Sequence, residues 1–172
     1  MADVSVSPRP RGVLHPRAAR RRFDLSLRPP APDLADLVEH CWIVRWDLPD
    51  GDAHLQHTIP HPSVHLVVET QPGRSGIFGV MTSRFTRRIE GTGRVSGVKF
   101  RPAGFHPFLG SPVCALTDRV VAIRDVFGAA GEAPAELLGT VDDESSMVEI
   151  ADAFVRRRRP APDPAVPWST GS

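Results

Sequence analysis

Residues 40–48 read HCWIVRWDL. Trp42, Val44 and Trp46 fall on one face of an extended chain, and Ile43 shares the other with Arg45. A period of two over nine residues is the pattern of a β-strand, and Pro49, Asp50 and Gly51 close it as a turn. The same reading repeats downstream. Residues 63–70 (SVHLVVET) place Val64, Leu66 and Val68 together and stop at Gln71, Pro72 and Gly73. Residues 76–80 (GIFGV), 83–90 (SRFTRRIE) and 94–101 (RVSGVKFR) follow, separated by glycine- and proline-bearing turns. Five short strands at this spacing indicate a small antiparallel sheet or barrel.

Outside this block the character changes. Asp33 is placed to cap a short helix carrying Leu34, Leu37 and Val38. Residues 1–31 hold prolines and an arginine cluster without a sustained apolar period. They are expected to be largely disordered, with 23–28 laid on the surface. Beyond residue 104, segments 121–128, 134–140 and 145–159 read as helices. In the last, Met147, Ile150, Ala151 and Phe154 form an apolar stripe, and Ser146 and Glu149 have capping-box spacing. Arg156 to Arg159 stand at the negative end of that helix dipole, and Pro160 stops the helix. The expected fold class is therefore α+β and mainly β, with one domain over 32–159 and a proline-rich linker or tail over 160–172.

The chain has 172 residues, room for one domain of ordinary size. Eighteen prolines, about twice the usual share, argue against long helical bundles and coiled coils. With 21 basic and 20 acidic side chains the formal charge is +1, which lacks the basic excess of a nucleic-acid-binding domain. No apolar run approaches a membrane span and the N-terminus lacks the apolar core of a signal peptide, so a cytoplasmic protein is expected. Cys41 and Cys114 read as two buried thiols in a reducing compartment.

Histidines are the first candidates for chemistry. In one extended strand His61, His65 and Glu69 would face the same way, and His106 follows a Pro-x-Gly turn. A cupin metal site needs histidines at i and i+2, whereas Ser63 and Val67 flank His65 at that spacing, and Pro62 interrupts the strand. Surface or pocket histidines are the reading that the spacing favours. The arginine runs at 20–22 and 156–159 read as a solvated tail and a helix C-terminus. Trp42 and Trp46 could line a ligand cavity or fill a core, and Lys99 and Arg101 could hold an anion inside a barrel or point to solvent. No phosphate loop, nucleophile elbow or Cys/His nucleophile set is present, so neither an enzyme nor a cofactor is expected.

Taken in order, VEHCWIVRWDLPDG, HTIPHPSVHLVVE and FTRRIEGTGRVSGVKFRPAGFHPFLGSPVCALTDRVVAIRDVFG resemble the N-terminal domain of a group of AraC-type bacterial transcriptional regulators. The segment AFVRRRRPAPDPAV looks like the bridge that leads to their DNA-binding half. The resemblance covers about residues 30–167 and is most specific in GVKFRPAGF and the later LTDR and VVAIRDVFG. It implies a cupin-like barrel that binds a small effector, with flanking helices for homodimerisation. It also implies that DNA is reached only through a helix-turn-helix domain that this sequence does not include, so the chain is expected to be a cut-out sensory domain or a shortened relative. Two alternatives remain: a metal-dependent cupin-type enzyme using His61, His65, Glu69 and His106, and a free-standing module that forms mixed dimers with full-length regulators.

For a sensor, the pocket is expected inside the β-rich part, near Trp42, Trp46, His65, Val67, Glu69 and Arg101. Strand alternation puts Trp42 with Trp46, and His65 with Glu69, on faces that can turn inward. Arg101 would then offer a charged partner. The competing arrangement fills the interior with Val64, Leu66, Val68, Val98 and Phe100 and leaves the polar faces in water.

Overall fold

A computed structural model describes residues 23–70 and 75–159. Its strands are β1 (Asp24–Arg28), β2 (Val38–Asp47), β3 (Ala53–Thr58), β4 (His65–Glu69), β5 (Gly76–Phe78), β6 (Phe85–Glu90), β7 (Thr92–Phe100) and β8 (Val120–Val121). The helices are α1 (His106–Leu109), α2 (Ile123–Phe127), α3 (Glu132–Thr140) and α4 (Glu144–Arg158). Six strands make an antiparallel sheet in the order β1-β2-β7-β4-β5-β8, and β3 pairs with β6 in a separate ribbon. The fold is thus the expected mixed one, with antiparallel strands followed by helices.

The ribbon continues the centre of the sheet. β2 and β7 pair up to Asp47 opposite Thr92, and β3 and β6 resume the ladder at Ala53 opposite Glu90. Between them, the Leu48 amide donates to the Gly91 carbonyl at 2.9 Å, and Gly91 takes a φ of +56°, which glycine accepts without strain. The double strand bends at this corner and folds back over one face of the sheet.

The sheet consequently has two buried faces. On one, Cys41, Ile43, Leu66, Val68, Val98 and Phe100 meet the helices through Phe105, Phe127, Met147, Ala151 and Phe154. Edge-to-face ring contacts run through this layer, with Phe100 and Phe105 at 4.9 Å and Phe127 and Phe154 at 4.9 Å between centroids. On the other, Trp46, Val67 and Val95 pack with Leu48 and with Ile89 of the ribbon. The apolar set of the competing arrangement fills the core on the helix side, while the opposite face is covered by the ribbon instead of water.

Arg94 ties the helical layer to the sheet. It donates to the Leu138 and Gly139 carbonyls at 3.1 and 2.9 Å and to the Asp142 carboxylate at 2.5 Å, satisfying C-terminal carbonyls of α3 that the helix itself leaves unpaired. The longest helix is capped by Asp143, whose carboxylate accepts from the Ser146 amide and hydroxyl, both at 2.8 Å. The expected Ser146–Glu149 box is displaced because Asp143 reaches the same amide from one turn earlier.

Several expectations need correction. Residues 24–28 form a strand paired along its length with β2, and Phe23 is buried, so the folded unit begins before residue 32. The proposed boundary at residue 31 cuts this strand away. The disorder expected for residues 1–22 and the linker expected over 160–172 lie outside the described residues. Asp33 does not cap a helix; it sits inside a 3-10 turn at Pro32–Leu34, and its carboxylate accepts from Arg156 at 2.6 and 2.8 Å. Cys41 is buried, with its thiol pushed up to about 12 by burial, but Cys114 is exposed, and both are free. Among the described residues no helix is long and apolar enough to cross a membrane.

Candidate functional site

Because the β3–β6 ribbon arches over the sheet without touching it everywhere, a cavity of about 870 Å³ remains between them. Its size lies in the range of small-molecule sites. The floor follows from strand alternation: Trp42, Val44 and Trp46 of β2, His65, Val67 and Glu69 of β4, and Val95 and Lys99 of β7 all point to this side. Phe85, Arg87 and Ile89 of β6 form the roof.

Two glycines on β7 make room for the large rings of the floor. Gly97 lies opposite Trp42 and Gly93 opposite Trp46, so each indole crosses a residue without a side chain. A Cβ added at Gly93 would meet the Trp46 ring at 2.3 Å, and one at Gly97 would meet the Trp42 ring at 2.4 Å. Both indole N–H groups are satisfied: Trp46 donates to the Glu90 carbonyl and Trp42 to His65 Nδ1, each at 3.2 Å.

At one end of the cavity polar groups cluster. Lys99 donates to Glu39 at 3.0 Å and stands 3.4 Å from His61 Nε2, and His61 Nδ1 is 3.1 Å from the Ser63 hydroxyl. Burial, reinforced by the charge of Lys99, pushes His65 down to about 3, so its ring is neutral at physiological pH. The hydrogen bond from Trp42 occupies Nδ1, which puts the proton on Nε2. Among the described residues Nε2 has no partner. His40 is also held below its usual value, chiefly by burial and then by Lys99.

Across the cavity, Arg87 forms a bidentate pair with Glu69, its Nη2 reaching Oε2 at 2.7 Å and its Nη1 contacting Oε1. The guanidinium also lies 5.7 Å from the Trp46 ring centroid. Burial lowers the Arg87 pKa, and its Nε is buried without a partner among the described residues. This pair joins the roof to the floor.

Five of the six residues expected near a pocket therefore line this cavity: Trp42, Trp46, His65, Val67 and Glu69. Arg101 does not. β7 ends at Phe100, the alternation lapses, and the exposed Arg101 side chain donates to the Ala35 carbonyl at 2.6 Å outside the cavity. Lys99, two residues earlier, is the β7 cation that faces inward, and Glu69 takes its cationic partner from β6. Of the four residues in the metal-enzyme alternative, His61, His65 and Glu69 line the cavity, whereas His106 is exposed at the start of α1. Among the described residues no group of three or more His, Cys, Asp or Glu side chains is arranged to hold a metal ion.

Sequence reasoning missed Arg87, Glu39, His40 and the whole of β3. Arg87 was detectable as the middle of Phe85, Arg87 and Ile89 at alternate positions. β3 gives no such signal: its inward residues include Gln56 and Thr58, and its outward Leu55 is exposed.

Residues 27–122 match the model of a family described as a domain of unknown function (DUF6597). No curated protein and no solved structure matches the chain significantly. The matched segment contains the cavity wall except Phe23 and Leu25, and ends before α2.

Proposed function

From the premise that the chain belongs to the DUF6597 family, we propose that its domain binds a small organic effector in the cavity between sheet and ribbon and serves as the sensory half of an AraC-type transcriptional regulator. The observation that carries this reading is the cavity itself: about 870 Å³, floored by two indoles that cross glycines of the neighbouring strand, with its few polar groups at defined places. The AraC-type assignment is supported by the segment resemblance, and an effector site within the matched residues agrees with a sensory role.

An effector can switch such a domain only by binding two states with different affinity. The sheet offers a path, since its cavity face and its helix face are the two sides of the same strands. A shift of β2 that adjusts Trp42 also moves Cys41 and Ile43, which belong to the core that contains Met147 and Ala151 of α4. That helix is further tied to β1 by Glu144, which accepts from Ser26 and Arg28, each at 2.7 Å.

A thermal-shift screen of small organic compounds tests this reading when the chain is compared with its Val67→Phe variant, which narrows the cavity. Compounds that raise the Tm of the first and not the second support effector binding there. Equal stabilisation of both by every active compound places binding elsewhere and defeats the proposal.

A further inference from the structure

We infer that the molecule held in this cavity is uncharged and largely apolar, with a ring system packed against Trp42 and one hydrogen-bond acceptor directed to His65 Nε2. This rests on the cavity being a ligand site, as proposed above, and goes further by fixing the chemical class of the ligand.

Charge balance excludes ions from the preferred class. The charged side chains on the wall are Lys99, Glu39, Arg87 and Glu69, and each cation already faces a carboxylate. An anion would have to displace Glu39 or Glu69 or lie beside it, where like charges repel through a poorly screening medium. A cation would meet the same obstacle from Lys99 and Arg87. The Glu69 side chain is 1% exposed and Arg87 is 15% exposed, so neither is readily released to solvent.

Donor geometry identifies the polar contact. Trp42 fills the acceptor position of the His65 ring, leaving Nε2–H as a donor without a partner among the described residues. Its low pKa keeps the ring from becoming a cation that would attract an anion. A carbonyl, ether or ring-nitrogen acceptor satisfies this donor without adding charge. The floor selects shape: the half-buried Trp42 indole, seated over Gly97, offers aromatic surface against which a planar ring packs, whereas Trp46 is buried and lies under Arg87.

Three probes of similar size and shape separate the possibilities: 2-acetylnaphthalene, 2-isopropylnaphthalene and 2-naphthoate. Their dissociation constants for the whole chain are measured by calorimetry or tryptophan quenching. The neutral ketone is expected to bind about five- to tenfold more tightly than the hydrocarbon, the worth of one hydrogen bond. The naphthoate is expected to bind more weakly than the ketone. His65→Leu should remove the ketone's advantage over the hydrocarbon, and His65→Gln, which keeps a donor and an acceptor for Trp42, should restore part of it. Preference for the naphthoate, or a ketone advantage unchanged in His65→Leu, overturns the neutral-acceptor inference while leaving the cavity a ligand site. If none of the three binds the wild-type chain while compounds from the thermal-shift screen do, the inference falls and the effector-site reading stands.

Discussion

The indole of Trp42 occupies the space that a side chain at Gly97 would need. The two residues face each other across β2 and β7, and a Cβ on Gly97 would stand 2.4 Å from two ring carbons. Four residues away in each strand, Trp46 and Gly93 repeat the arrangement. This repeat leaves room above β7 for both indoles, which border the cavity from β2.

Gly97→Ala should therefore lift the Trp42 ring and break its hydrogen bond to His65. Overpacking of this kind costs about 1–3 kcal/mol. Urea denaturation should show a lower midpoint, accompanied by a change in tryptophan emission in the folded state. An unaltered midpoint and spectrum would mean that the ring does not lie over the glycine.

The Glu69–Arg87 pair is the clearest candidate for a structural charge in the cavity. Removing one partner from a buried pair strands the other and typically costs about 3–5 kcal/mol. Glu69→Leu and Arg87→Met should each destabilise the chain, with the double variant recovering much of the loss. Additive losses in that double-mutant cycle would show that the two groups act independently.

Stability should also depend on pH through His65. Its pKa, near 6.5 in the unfolded chain, is pushed down to about 3 in the folded one by burial and then by Lys99. The contribution is fully present above 6.5 and is lost as pH falls toward 3, because the unfolded chain takes up a proton that the folded chain refuses. From pH 7 to pH 5, below which carboxylates begin to contribute, stability should fall by up to about 1.4 kcal/mol per pH unit from this group. His65→Gln should flatten the slope, leaving the smaller contribution of His40, whose pKa is lowered in the same direction. An equal slope in wild type and variant would refute the assignment.

The strands around Trp42, Leu66 and Val98 were legible because alternation survives wherever one face meets a packed core. Their inward sides were harder to read, since both faces of this sheet are covered and apolar residues occur on each. Trp42 and Trp46 announced themselves by spacing, but the matching Gly93 and Gly97 gain meaning only when the strands are brought into register. Arg101 and Lys99 show the same limit. Both lie on one side of an ideal strand, yet β7 stops between them, and strand ends are set by contacts that local pattern does not carry. β3 was hidden for a related reason: a strand lining a partly polar cavity has no apolar stripe to display.

The two-sided architecture itself is open to a direct comparison of Phe100 and Trp42, which sit on adjacent strands but on opposite faces. Phe100 is 1% exposed and its ring packs against Phe105 and Phe108 at 4.9 and 5.7 Å. Truncating it to alanine leaves a void among atoms that cannot all close in, at a cost of about 3–5 kcal/mol. Trp42 is larger but only partly buried, and part of its ring borders space that is already empty of protein atoms. Trp42→Ala forfeits fewer contacts and should lower stability less than Phe100→Ala, despite removing more atoms. Its main effect should fall on binding: any compound taken up by the cavity loses the ring beneath it, whereas a Phe100 variant that stays folded should retain binding. Denaturation midpoints and dissociation constants for the two variants form a crossed pair of measurements. The reverse order, with Trp42→Ala the more destabilising and Phe100→Ala the more damaging to binding, would mean that the packed side and the ligand side of the sheet have been exchanged.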